Sequence, residues 1–448
     1  MIQSMDEAIR FIFATRRRLD SAPRGPDEYT RDITPTRNLL ERENLLAVER
    51  DYVVVTGSRG KGSVTAIMAK LLEALGHRVG TVTSPHLVHW NERIRVDGRM
   101  IPTPDFLRIL NGLRPIIDDI TADLNESRYL SPQGIFLAIA LRYFAETGVD
   151  VAVLEVGRGG RFDDVAVVPN TLSVFTPIML EHTSLLGDTL DRIAWHKAGI
   201  IKSGGRVITL TQAPAVIDVI RRECAEQEAQ LDCLFEEDLA RWVACREDGQ
   251  LIRLHPYGEL DLPMLGSYQI ENATLAIRAV ELLERRETRL DANWIDTVRL
   301  GLTQVQWRGR VQKLDDCPAI YVDGAITVSS AESFVASLQR RFRGPVVSIV
   351  GIPRDRDYAG VYRVMANVSR ALIITETDIN PNTRFPTREQ ALTAAQDLHN
   401  SAHYRKDLPA ALKLARSLAG ESGAILMALS LMLVGECMLI WDVDTTAI

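Results

Sequence analysis

The chain has 448 residues, of which 46% are hydrophobic and 25% charged, with a formal net charge of −7. This is the balance of a globular protein able to bury the cores of two or three domains of ~150 residues each, and it lacks the basic excess of a nucleic-acid binder. Cys224, Cys233, Cys245, Cys317 and Cys437 lie far apart with no C-x-x-C pair. They suggest neither a zinc site nor a disulfide framework, and they fit a reducing, cytoplasmic location.

The opening stretch "MIQSMDEAIRFIFATRRRLD" (1–20) is amphipathic, short of apolar length and without a small-residue cleavage site, so it reads as a helix of the mature protein and not a signal peptide. "VVVTGSRGKGSVTA" (53–66) follows: a buried strand over 52–55, a loop with Gly57, Gly60 and Gly62, and a helix over 63–75. Such a loop offers backbone N–H groups, a helix N-terminus and the Lys61 cation, all suited to polyphosphate. The strict Walker pattern has four residues between its first Gly and the Gly-Lys, whereas only Ser58 and Arg59 intervene here. A dinucleotide fingerprint fits less well, because Thr65 stands where its third glycine would be. The bland alternative is a tight strand-to-helix turn with a solvated lysine.

Next come "RVGTVTS", a helical region through "GIFLAIALRYFAETG", and the strands "DVAVLEVG", "TLSVFTPI" and "RVITL". Continuous apolar strands separated by helices indicate a parallel sheet covered on both faces. Glu155 ends the strand "DVAVLEVG" and is followed by "GRGG", so its carboxylate emerges at the sheet edge where open α/β folds bind ligands. There it serves a magnesium ion, or else caps a helix or pairs with Arg158 or Arg161. His182, in "MLEHTSLLGDT", sits at another strand end, either structural or in contact with a metal or phosphate.

After the helix "ENATLAIRAVELLERR", the segment "RLDANWIDTVRLGLTQVQWRGR" leads to a second series, "AIYVDGA", "PVVSIVGI", "ALIITETD" and "AILMALS". The expected organisation is therefore α/β throughout. Residues 1–302 form a P-loop nucleotide-binding domain with a mostly parallel sheet, and 303–448 form a smaller Rossmann-like domain. The apolar run "AILMALSLMLVGECMLIW", interrupted by Gly435 and Glu436, reads as two buried strands or a strand and a turn, with a transmembrane helix as the weaker alternative.

These residues carry a resemblance to the folylpolyglutamate synthase and dihydrofolate synthase family of the Mur ligase superfamily. "GSRGKGS" resembles its G-T-N-G-K-G-S loop, and "TSPHLVHWNERI" its T-S-P-H-L and N-E-R-I segment. "VDVAVLEVGRGGRFD" resembles its acidic strand and "HKAGIIK" its lysine motif. "LGSYQIENATLAI", "WRGR" and "LSLMLVGE" resemble its G-x-H-Q-x-x-N helix, W-P-G-R linker and terminal G-S-L-Y-L-V-G-E.

The resemblance implies an ADP-forming acid–amino-acid ligase that uses ATP and Mg2+. Gly57, Ser58, Arg59, Gly60, Lys61, Gly62 and Ser63 would hold the ATP phosphates, and Ser84, Glu155 and His182 the magnesium. Lys197 would be carbamylated, its added carboxylate helping to position a second metal. Asn272, Arg310 and Asp323 would contact nucleotide, the last two from the second domain, so that Asp323 acts only on domain closure. The implied mechanism is phosphoryl transfer to a carboxylate followed by acyl transfer to an amine, with small-molecule acid and amino-acid substrates, no nucleic-acid or membrane partner, and a monomeric chain.

The chain also departs from the family pattern. D-G-A-H-N-P reads "DGAITV", placing Ile326 and Thr327 at the His and Asn; T-x-F-E reads "SPQG", with Gly134 at the Glu. L-D-A-T-N reads "FDDVA", the loop Asn is Arg59, as in the poly-γ-glutamate synthase branch, and D-H is "EH" at Glu181. The expectation is a ligase diverted from folate to another acid or amine, against the alternative of a non-catalytic ATP-binding scaffold.

Overall fold

The computed structural model describes residues 1–17, 25–125, 128–285, 290–339, 341, 344–380, 383–399 and 401–448. Residues 18–20 of the expected N-terminal helix and Arg286 of "ELLERR" lie outside the described residues; the helix itself runs Met5–Arg17.

Eight strands form the first sheet: β1 (Asp51–Thr56), β2 (Val79–Val82), β3 (Ile94–Val96), β4 (Arg99–Met100), β5 (Val151–Glu155), β6 (Leu172–Phe175), β7 (Arg206–Leu210) and β8 (Gln230–Leu234). Their order is β4-β3-β2-β5-β1-β6-β7-β8, parallel from β2 to β8, with β3 and β4 antiparallel. Side chains of β1 alternate between faces, as a strand requires. Tyr52 and Val54 join the core that contains the helix Pro132–Glu146, while Val53 and Val55 join the one that contains Lys61–Ala74. Each fully buried Val or Ile contributes about 1.5–3 kcal/mol, which is why strands covered on both sides read as unbroken apolar runs. The helix Lys61–Ala74 starts two residues before its expected position, directly after the glycine loop. It packs against Tyr268–Leu283 and Ala292–Thr303, and Gly301 lets the last of these approach its backbone.

A second sheet departs from the sequence reading. β9 (Arg241–Cys245), β10 (Gln250–Leu254) and β11 (Gly258–Leu262) form a small antiparallel meander, fixed to the helices by Trp294 Nε1 donating to Tyr257 Oη at 2.9 Å and Tyr257 in turn to Glu281 at 2.7 Å.

The third sheet comprises β12 (Gln312–Asp316), β13 (Ala319–Asp323), β14 (Val346–Gly351), β15 (Ala371–Ile374), β16 (Ala402–Tyr404) and β17 (Ala424–Leu429). Its order is β12-β13-β17-β14-β15-β16, parallel except for β12. The apolar run after β17 is neither a second strand nor a turn but the helix Leu431–Ile440. Among the described residues no helix is long and apolar enough to cross a membrane.

Two further features join the halves. Arg341 donates to the carbonyls of Arg246, Glu247 and Gly249 in the β9–β10 turn at 2.6–3.0 Å. Beyond the last helix the chain returns to the first sheet, where Met100 N–H donates to Thr446 O and Ile448 N–H to Gly98 O, while Arg95 and Glu92 bind Thr445.

Candidate active site

The carboxyl ends of β1, β2, β5 and β6 converge where the strand order switches about β1, the place at which such sheets bind ligands. After β1, Gly57 takes φ 138°, and a Cβ there would lie 1.9 Å from Thr176 Oγ1, so only glycine closes the turn. Ser58 ties the loop to the β6 end: its N–H donates to Pro177 O, and its hydroxyl donates to Met179 O and accepts from Met179 N–H. Gly60 abuts the Asn272 amide and Gly62 the Trp307 ring, each closer to the neighbour than a side chain would permit. Ser63 is buried in the first turn of the helix. The strand, glycine turn and helix N-terminus thus assemble as the sequence suggests, with Asn272 and the linker tryptophan as walls.

Two lysines converge on the Gly57 carbonyl: Lys61 Nζ donates to it at 3.0 Å and Lys197 Nζ at 2.9 Å. Lys197 also pairs with Glu181 at 2.8 Å. Burial draws the Lys197 pKa down to about 8 against the pull of Glu181. Burial opposes the Glu181 charge as well, but Lys197 and Lys61 outweigh it and hold that carboxyl below its ordinary value. The substitution of Glu for the family's Asp therefore supplies the lysine's counter-ion.

Glu155 is 5% exposed, and one oxygen accepts from Ser84 N–H at 2.9 Å; no described residue donates to the other. Burial raises its pKa, offset in part by Lys61, the Ser84 amide, Arg310 and Arg93. Neither arginine of the ion-pair alternative reaches it: Arg158 pairs with Asp27 at 2.6 Å and Arg161 with Glu223 at 2.5 Å. His182 is strained at φ 47°, and burial lowers its pKa, which favours the neutral imidazole. Its side chain makes no hydrogen bond to another described residue, Ser84 and Glu155 included. Among the described residues no three His, Cys, Asp or Glu side chains gather as a metal set.

From the second domain, Asp323 at the end of β13 is buried, accepting from Val311 N–H at 2.8 Å and Tyr268 Oη at 3.0 Å; burial raises its pKa against Arg310. Arg310 lies beside it, within electrostatic reach of both Asp323 and Glu155. Asp323 therefore already meets a first-domain side chain, Tyr268.

Arg93, in the N-E-R-I segment, is a site residue to which the sequence assigns no role. Its guanidinium lies on the Trp90 and Phe136 rings at 4.7 and 5.1 Å, and its Nε donates to His86 Nδ1 at 3.1 Å. Burial pushes the His86 pKa down to about 3, so this nitrogen is a standing acceptor. The two Nη groups of Arg93 donate to no other described residue. The one sequence signal was Trp90 three positions before Arg93, because aromatic faces stack guanidinium planes; the second ring, Phe136, comes from a helix distant in sequence.

This arrangement of a glycine turn, two convergent lysines and a lone carboxylate, faced by an Arg-Asp pair from a second α/β domain, can hold a nucleotide polyphosphate and a second anion. Residues 55–280 match the Mur ligase middle domain, and residues 309–430 the Mur ligase glutamate ligase domain. The chain belongs to the Mur ligase family. This Mur ligase is 29% identical over 392 residues to the dihydrofolate synthase/folylpolyglutamate synthase of Bacillus subtilis, covering 85% of this chain and 88% of that one. It is 32% identical over 327 residues to the folylpolyglutamate synthase of Lacticaseibacillus casei, covering 69% and 73%. The structure superposes on Mycobacterium tuberculosis folylpolyglutamate synthase complexed with ADP with a TM-score of 0.85 at 26% identity, covering 97% and 99%. The chain is an ATP-dependent acid–amino-acid ligase of the folylpolyglutamate synthase type, and the scaffold alternative finds no support.

Proposed function

We propose that this ligase activates a carboxylic acid other than a folate as its acyl phosphate and joins it to the amine of an amino acid. The observation that carries the diverted substrate is Gly134. A Cβ there would lie 2.0 Å from Thr36 Oγ1 and 3.0 Å from Asp164 Oδ1, so the family's Glu has no room. Asp164, itself a departure, accepts from Thr36 at 2.6 Å, from the Ser131 hydroxyl and from Arg31 at 3.3 Å. One buried polar network thus accounts for both changes. Beside it opens a hollow of about 440 Å³ lined by Tyr29, Arg31, Asp32, Arg128 and Tyr129, whose polar character suits an acid carrying hydrogen-bonding groups.

In this reading an oxygen of the acid's carboxylate attacks the γ-phosphorus of ATP, and the bond to the bridging oxygen breaks with ADP as leaving group. Lys61 and the loop amides receive the phosphate charge, and Arg93 holds the carboxylate in line by its two Nη donors. The amine then attacks the acyl carbon, loses a proton and displaces phosphate. Of the three residues assigned to magnesium, Glu155 and Ser84 lie together and would hold the ion, which retains waters and phosphate oxygens instead of filling a cage of side chains, while His182 makes no bond to either. Bound there, the ion would neutralise phosphate charge. Carbamylation of Lys197 is supported by burial that leaves part of the amine neutral near physiological pH; intact mass in bicarbonate should then show one added carbon dioxide, absent in Lys197→Arg. We put the hinge of domain closure near "TQVQWRGR" (303–310).

The test is ADP and phosphate release across a panel of carboxylates and amino acids that includes dihydropteroate with glutamate. Turnover on another acid, with poor turnover on the pterins, is the expected result. A specificity constant of about 10⁴ M⁻¹s⁻¹ or more on dihydropteroate would make the protein a plain folate enzyme.

A further inference from the structure

Two departures from the family pattern, Arg59 in the phosphate loop and Thr327 after β13, lie 268 residues apart and touch: the Arg59 guanidinium donates to Thr327 Oγ1. The acceptor is held rigidly. Thr327 is the N-cap of the helix Val328–Leu338, its N–H donating to Ser330 Oγ at 3.0 Å and the two hydroxyls lying 2.8 Å apart. The donor end is also fixed, because the neighbouring Ser58 is bonded through both N–H and hydroxyl to the β6 end. Glu181 of the first domain and Asp323 of the second both act on the guanidinium, so it lies within electrostatic reach of an acid of each domain. Asparagine, the family's loop residue, has a shorter stem and carries no charge for these acids to act on.

We propose that Arg59 is a positioning residue that latches the phosphate loop to the cap of Val328–Leu338, and that Arg59 and Thr327 are one paired change. Order imposed on the loop by nucleotide passes through this bond to the Ile326 and Thr327 edge of the second domain, and by linkage docking of that edge orders the loop. The edge then covers the phosphates at the moment a water-sensitive acyl phosphate forms. The latch requires no particular acid or amine, so it stands or falls apart from the substrate assignment.

The test is amide hydrogen exchange of the full chain by mass spectrometry, with and without Mg-ADP, in Thr327→Val, Thr327→Ser, Arg59→Gln and the Arg59→Gln/Thr327→Val double variant. Thr327→Val should speed exchange of loop amides 58–60, in the other domain, by about tenfold, as expected for loss of a charge-assisted bond. It should also abolish the slowing of exchange at 328–331 that ADP produces in the parent. Arg59→Gln should speed exchange at 328–331 to the same extent, and the double variant should add nothing. Thr327→Ser, which keeps hydroxyl and cap, should match the parent in exchange and melting temperature, separating a lost latch from a lost fold. Effects confined to the substituted domain, single effects that multiply in the double variant, or a Thr327→Ser as disruptive as Thr327→Val would each overturn the proposal.

Discussion

The phosphate pole and the wall around Gly134 occupy the same edge of the first sheet, but their polar groups are engaged differently. At the pole, Glu155 keeps an oxygen and Arg93 two Nη groups without a partner among the described residues, and two ammonium groups share one carbonyl. At the wall, Thr36, Ser131, Asp164 and Arg31 bind one another. Polar groups left open mark where a ligand completes the structure, while groups closed on themselves define the shape a ligand must fit. Under the proposed function, the first region carries the chemistry of the family and the second the choice of substrate.

The strongest challenge to this contrast is Lys61→Ala. It should cut nucleotide-dependent phosphate release by about 10²–10³-fold or more while the unfolding midpoint without nucleotide matches the parent. Near-parental turnover at saturating ATP would remove Lys61 from the pole. Glu155→Gln keeps the size and the bond to Ser84 within reach but deletes the charge; turnover should fall about 10–100-fold and the magnesium titration shift to higher concentration. An unchanged titration would make Glu155 structural.

Arg93→Lys preserves the charge but not the fork, so a rise of about tenfold in KM for the acid with little change in KM for ATP is expected. Equal effects on both would place Arg93 on the nucleotide. At the wall the effect should be one of stability. Gly134→Ala forces a methyl onto Thr36 and should lower stability by about 1–3 kcal/mol in urea unfolding. A variant as stable as the parent would mean the wall is looser than the distances state.

The sequence disclosed the elements whose burial leaves a pattern. β1, β5 and β17, covered on both faces, appear as unbroken apolar runs, and the glycine turn with Lys61 is legible because few other structures need three glycines around a cation. The meander β9–β11 was missed because its strands are short, with several exposed residues and charged side chains. Leu431–Ile440 was misread because a helix apolar on nearly every side has no 3.6-residue period to detect. Its Gly435 has a spatial reason, since a Cβ there would strike the Leu87 carbonyl 2.2 Å away on the loop that carries Ser84. The contacts of Thr36 with Asp164 and of Arg59 with Thr327 were beyond reach, because each joins residues more than a hundred positions apart. Read singly, Gly134 and Thr327 were losses of polar groups; in space each belongs to a replacement.

The returning segment at Thr445–Ile448 bears on how the two halves can move. The chain crosses between the halves once through 303–310 and again through bonds from Thr445, Thr446 and Ile448 to the edge of the first sheet, so release of the Arg341, Tyr268–Asp323 and Arg59–Thr327 contacts would leave the second domain held at two separated points. A body pinned at two points retains one easy degree of freedom, a swing about the line joining them. The cleft then opens like a door and not like a jaw, and severing the 445–448 crossing should convert a single well-defined hinge axis into a broad cone of orientations.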